Sequence, residues 1–211
     1  MSLFVFPIMS YLSQMVVVIP ISLYFDRMGK SLKFLSVYLV LAMLVDTLQF
    51  ILAMRHIDNR WTSQWFLPVQ FILLVLVYNY SKDQDRSLFA LIGSLGLFAL
   101  CYAFTLVHFY PIPRWFAYVK PTTALIIVIL SCRSLIELIK HSSESIGKEP
   151  MFWVSSANLL YFAGTAILYG LSEEIFSSSL EVMRIAWSTQ SVVNVASNIL
   201  YIRGFLCFRS K

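Results

Sequence analysis

Few residues in this sequence are equipped for chemistry, and Asp46 stands out, set in an apolar run about eight residues from its far end. An ionisable group in such surroundings is costly without a partner, so a deep acid commonly marks a ligand anchor or a group that titrates during a switch. Gln49 follows three residues later, on the same face of a helix, and can help satisfy the carboxyl group. Lys120, near the start of another apolar run, has a stem long enough to reach toward Asp46 if the two segments are neighbours. The structural alternative is a protonated, hydrogen-bonded packing residue. Farther along, Trp187, Gln190, Asn194, Asn198 and Tyr201 recur every three or four residues and form one helical stripe, as do Asn158, Tyr161, Thr165 and Tyr169. Amide and hydroxyl stripes join helices through hydrogen bonds worth roughly 1 kcal/mol each. They can equally line a binding site. The candidate ligand-binding residues are therefore Asp46, Gln49, Gln70, Lys120, Trp187, Gln190 and Asn194.

Catalytic machinery of a recognised kind is absent from the sequence. There is no HExxH, GxSxG, CxxC or phosphate-binding glycine loop, and Asp46 is the one deep aspartate where an intramembrane aspartyl protease needs two. No lysine lies in the last apolar run to form a retinal Schiff base. Cys101, Cys132 and Cys207 have no metal-ligand spacing and read as small buried hydrophobes. His56 and His108, with Asp58 nearby, would be a minimal metal set, but they read as interfacial residues at the ends of apolar runs. No metal, cofactor or catalytic residue is expected.

The elements that must position these side chains follow from hydropathy. Of 211 residues, 59% are hydrophobic and 13% charged, more apolar surface than one soluble core buries. The apolar residues fall into blocks of about 20, enough to cross about 30 Å of hydrocarbon. Blocks near 4–24, 32–54, 64–80, 87–107, 115–139, 152–171 and 182–208 predict an all-α, polytopic bundle of seven transmembrane helices forming one domain, 1–211. Runs such as 71–77 and 124–130 are apolar on every side, which excludes the alternation of a β-barrel. The first block lacks the basic start and cleavage pattern of a signal peptide and reads as a genuine first helix.

Placing the N-terminus outside puts eleven of the 16 Lys and Arg residues, among them Arg27, Lys33, Arg133, Lys148 and Lys211, on the cytoplasmic side. Arg55, Arg60, Arg114, Lys120 and Arg184 remain outside. That asymmetry predicts an N-out, C-in topology, with Trp61, Trp65, Tyr110 and Trp115 in an interfacial belt. The basic residues are dispersed over short loops rather than clustered, so membrane orientation explains the net charge of +5 and nucleic acid is not an expected partner. Polar residues such as Gln49, Gln64, Gln70, Thr122, Thr123 and Gln190 fall in the outer half, whereas the inner halves of spans one, three and five read as almost wholly apolar. Pro68 and Pro121 bend their helices near the outer ends. The pattern predicts a pocket open outward and closed inward, with a polar packing layer as the alternative. On the seventh span Asn194 and Asn198 should face protein, so their replacement by Leu should matter, whereas Val193→Leu should be mild.

Three segments, 65–80 (WFLPVQFILLVLVYNY), 149–171 (EPMFWVSSANLLYFAGTAILYGL) and 186–203 (AWSTQSVVNVASNILYIR), resemble a group of short seven-helix bacterial inner-membrane proteins without an assigned activity. Members of that group similarly show an acidic-Pro-x-Phe-Trp entry to the sixth helix and Asn-containing repeats in the seventh. Gln70 stands here where an acidic residue is expected. The resemblance implies the fold and a multi-pass, inner-membrane location, since seven-helix topology hosts many functions. The leading functional expectation is a non-enzymatic sensor or accessory subunit whose outward cavity takes a small or lipidic ligand or a partner helix. Its partners would be membrane lipids and another membrane protein or a second copy of the chain. The alternative is a small transporter of the three-plus-one-plus-three type, suggested by a Gly-Lys-x-x-x-Phe match at 29–34 and 147–152. A membrane enzyme without a recognisable motif comes third.

Overall fold

The computed structural model describes residues 5–81, 92–93, 95–96, 98–100, 102–103, 113–141 and 145–207. These residues contain seven α-helices and no strand. Six are long: α1 (Val5–Tyr24), α2 (Lys30–Met54), α3 (Arg60–Asn79), α4 (Pro113–His141), α5 (Pro150–Gly170) and α7 (Leu180–Cys207). They correspond to the first, second, third, fifth, sixth and seventh predicted spans. Between the last two lies α6 (Ser172–Ser177), a short helix the hydropathy pattern does not announce. The predicted span 87–107 falls largely outside the described residues, with helix at 92–93, 95–96, 98–100 and 102–103; Cys101, His108 and Tyr110 lie outside them, as do the side chains of Arg114 and Trp115.

Among the described residues, five helical stretches are long and apolar enough to cross a membrane: Ile8–Arg27, Lys30–Met54, Trp61–Asn79, Val119–Lys140 and Pro150–Gly170. Helix α7, although 28 residues long, is not among them. Gln190, Asn194, Asn198 and several serines dilute its apolar content, the same stripe that marks it as an inward-facing helix.

Consecutive helices are neighbours, most of them through short connections, while α3 and α4 are separated by residues 80–112. Helix α1 packs against α2, α2 against α3, α3 against α4, α4 against α5, α5 against α7, and α7 returns to α1. The six long helices thus form a closed ring. One end carries the α2–α3 turn and the segment between α5 and α7; we call it the Asp58 end. The other carries the 3-10 turns Phe25–Arg27 and Ile146–Lys148 and is called the Lys148 end. At the Asp58 end α2 stops in a Schellman arrangement, with Ile57 N–H donating to Leu52 O and His56 N–H to Ala53 O, both at 3.0 Å. His56 takes the left-handed conformation there (φ 56°), a position that usually goes to glycine.

Around a core that includes Leu35, Phe71, Leu74 and Phe205, the described side chains depart from the pattern of a soluble protein. Asn158, Ser131, Ser155 and Ser197 are fully buried, whereas Leu23 (67%), Ile129 (64%), Ile167 (64%) and Phe50 (60%) face outward. Helices α5 and α7 come close through two glycines. A Cβ on Gly204 would stand 3.3 Å from Pro150 O and one on Gly164 3.3 Å from Val193 Cγ1, a small-residue contact of the kind that lets helices pack tightly in lipid. The second contact corrects an expectation: Val193 fills the notch at Gly164, so Val193→Leu adds volume to a packed interface and is not a mild change. The Gly-Lys-x-x-x-Phe matches also differ in register. Gly29 caps the start of α2, whereas Gly147 sits inside a 3-10 turn and Glu149 caps α5.

Candidate functional site

The ring encloses a cavity of about 120 Å³ in its Asp58 half. All six long helices contribute: Gln14 from α1, Tyr38, Ala42, Asp46 and Gln49 from α2, Ser63 and Gln70 from α3, Lys120 from α4, Tyr161 and Tyr169 from α5, and Asn194, Asn198 and Tyr201 from α7. Ser63 lies in the first turn of α3 and Tyr169 in the last turn of α5, so the wall extends to the Asp58 end of the ring. Asp46 lies eight residues before the end of α2, a depth of about 12 Å at 1.5 Å per residue. On α2, positions 38, 42, 46 and 49 repeat at the spacing that puts residues on one helical face.

Asp46 keeps accessible surface and accepts a hydrogen bond on Oδ2 from Gln14 Nε2 at 2.7 Å. The expected help from Gln49 does not materialise. Gln49 Nε2 instead donates to Ser63 Oγ at 2.9 Å, and Asn59 Nδ2 donates to the Gln49 carbonyl, tying α2 to the first turn of α3. A shared face did not decide the partner, because α1 and α3 flank α2 on opposite sides and each takes one of the two side chains. Lys120 lies on the same cavity wall system, half-buried, its ammonium 4.1 Å from the centre of the Tyr169 ring and near enough for its charge to act on Asp46. Asp46 on α2 and Lys120 on α4 line the same cavity, with α3 between the two helices in the ring.

Asn194 and Asn198 donate from Nδ2 to Ser10 Oγ (2.7 Å) and Ser13 Oγ (2.8 Å), which fastens α7 to α1, while Tyr11 and Thr47 share a hydrogen bond of 2.9 Å between α1 and α2. Of the seven sequence candidates, Asp46, Gln49, Gln70, Lys120 and Asn194 line the cavity and Trp187 and Gln190 do not. Trp187 is 40% exposed and stands edge-on to Tyr169, 6.2 Å between ring centres. Gln190 points its Nε2 at Thr165 Oγ1 (3.4 Å), and its buried Oε1 has no hydrogen-bond partner. Gln14 and Tyr38 escaped the sequence reading. The signal for Gln14 was present, as the only amide of the first span; that for Tyr38 was its place on the stripe through Asp46.

A second chamber of about 50 Å³ adjoins the first and shares Gln70, Lys120, Tyr161 and Tyr169 with it. Its remaining wall is mostly apolar, including Leu67, Phe71, Leu74, Ile127 and Phe162. Below both chambers, toward the Lys148 end, four buried polar residues form a knot. Tyr201 O–H donates to Asn158 Oδ1 (2.5 Å), Asn158 Nδ2 donates to Tyr78 Oη (2.7 Å), and Tyr78 and Ser131 share a hydrogen bond of 2.7 Å. The inner halves of α3 and α4 are therefore less uniformly apolar than the sequence reading holds. Tyr78 and Ser131 cross-link them at the level of α5 and α7. Tyr201 belongs to both regions, lining the cavity with its ring and closing the knot with its hydroxyl.

No protein-family model matches the chain, and no curated protein or solved structure matches it either.

Proposed function

We propose that this is a multi-pass protein of a bacterial inner membrane, crossing seven times with its N-terminus outside and C-terminus in the cytoplasm, and that it serves as a non-enzymatic sensor or accessory subunit. Its cavity opens outward and takes a small or lipidic ligand or a partner helix. The observation that carries this reading is the cavity itself: an accessible Asp46 and a Lys120 enclosed by all six long helices in the Asp58 half, above a continuous buried hydrogen-bond knot. Five membrane-length apolar helices, outward-facing leucines and isoleucines and the excess of Lys and Arg toward the Lys148 end support the membrane setting. Tyr201 is the element through which occupancy of the cavity reaches the knot. With connections this short, output runs through a contacting membrane protein, a partner or a second copy.

The test is thiol labelling of intact cells carrying single cysteines in a background with Cys101, Cys132 and Cys207 replaced by Ala. Asp58→Cys and Ala42→Cys should react with a membrane-impermeant reagent, and Lys140→Cys should stay protected until the cells are opened. Labelling at 140 with protection at 58 would reverse the topology, and protection at 42 under all conditions would remove the outward cavity.

A further inference from the structure

The walls of the cavity differ in chemistry, and that difference specifies an occupant. On one side Asp46 presents a carboxyl group with accessible surface that already accepts one hydrogen bond, from Gln14 Nε2 on Oδ2. A carboxylate has room for several donors and so suits a primary ammonium, which brings three N–H donors and no acceptor. Elsewhere on the same lining stands the Lys120 ammonium, 4.1 Å from the centre of the Tyr169 ring, a positive charge suited to attract a carboxylate or phosphate. Lys120 also borders the apolar side chamber.

A cation drawn to Asp46 would be repelled by Lys120, and an anion drawn to Lys120 would be repelled by Asp46. A ligand carrying both charges is attracted at both ends. Size limits it further: a cavity of about 150 Å³ holds one benzene ring, and the space here is of that order, about 120 Å³ with an adjoining side chamber of about 50 Å³ for an aliphatic substituent.

We propose that the cavity binds a compact zwitterion, a primary ammonium joined to an anionic group, with the ammonium at Asp46, the anion at Lys120 and a short aliphatic substituent in the side chamber. The inference rests on the ligand-binding role proposed above and names its chemical class. A free amino acid and an ethanolamine phospholipid headgroup both carry this chemistry.

The experiment uses the full-length protein in nanodiscs and compares three soluble probes by calorimetric titration: L-leucine, leucinamide, which lacks the carboxylate, and 4-methylpentanoate, which lacks the ammonium. In a second arm, native mass spectrometry compares retention of phosphatidylethanolamine and phosphatidylglycerol. L-leucine should bind about tenfold or more tighter than either analogue, the scale of one charge-assisted hydrogen bond. Asp46→Asn should erase the preference over 4-methylpentanoate, Lys120→Gln should erase the preference over leucinamide, and Lys120→Arg, which keeps the charge, should retain it. Preferential retention of phosphatidylethanolamine, lost in Asp46→Asn, with no leucine binding, would assign the same chemistry to a lipid headgroup. Equal binding of zwitterion and single-charge probes in both arms, or no zwitterion binding in either, overturns the proposal. If Ala42→Cys is nonetheless labelled from outside, only the ligand class falls; if it is not, the cavity's role falls with it.

Discussion

At the Lys148 end, Tyr78, Ser131, Asn158 and Tyr201 are linked by three hydrogen bonds of 2.5 to 2.7 Å, and none of the four is more than 8% exposed. In the Asp58 half, a similar mixture of amides and tyrosines surrounds open space, Asp46 keeps accessible surface, and the Oε1 atoms of Gln14 and Gln190 are buried without partners. The residue types barely differ; each member of the knot is hydrogen-bonded, while the unpartnered atoms sit at Gln14, Gln190 and, one turn before Tyr201 on α7, Ser197 Oγ. A saturated network in a low-dielectric interior holds helices in one arrangement, whereas unmatched polar atoms carry a desolvation cost that a ligand can relieve. The knot is thus suited to hold α3, α4, α5 and α7 together, and the cavity to respond to an occupant. Tyr201 joins the two.

The comparison breaks most visibly at Asn158. Asn158→Leu should destabilise the protein by about 3 kcal/mol, because it strands the Tyr201 hydroxyl in a buried site and leaves Tyr78 with Ser131 alone. Urea or mild-denaturant unfolding in detergent measures it, and an unchanged midpoint would mean the knot is dispensable. Tyr201→Phe keeps the ring in the cavity wall and removes one donor, so a loss of about 1 kcal/mol is expected. Its sharper readout is labelling at Ser134→Cys, next to Ser155 on the knot side. A zwitterion-dependent change in labelling rate should be present in the parent and absent in Tyr201→Phe.

Asn194→Leu and Asn198→Leu should each cost about 1 kcal/mol by releasing Ser10 and Ser13 of α1. The appropriate control is Val192→Leu, at an outward-facing position, which should stay within about 0.5 kcal/mol. Val193→Leu should resemble the asparagine variants rather than the control, since Val193 packs on Gly164. Equal thermal midpoints for all four would refute the assigned face of α7. The smallest effect belongs to Gln49→Ala, whose partner Ser63 lies in the first turn of α3 at the cavity's outer rim. Under about 0.5 kcal/mol is expected there, because a rim hydroxyl regains water when its partner is removed.

Helix existence was legible in the chain because hydropathy and length are local properties: α1, α2, α3, α4, α5 and α7 each begin and end within about four residues of the predicted spans. The inward face of α7 was legible for the same reason, as Gln190, Asn194, Asn198 and Tyr201 recur at helical spacing. Partner choice was not. That Asp46 would be held by Gln14 rather than Gln49, that Val193 would meet Gly164, and that Tyr78 and Ser131 would complete a knot with Asn158 and Tyr201 all depend on which helices adjoin and how each is rotated about its axis. Those are relations between segments as far apart as 185 residues, as in the Asn198–Ser13 pair, and no local pattern records them. Spacing along one helix sets which side chains share a face. Only the closed ring decided which faces converge on a cavity and which on a sealed knot, because every polar group in an apolar medium must take its partner from whatever neighbouring helix brings one within about 3 Å.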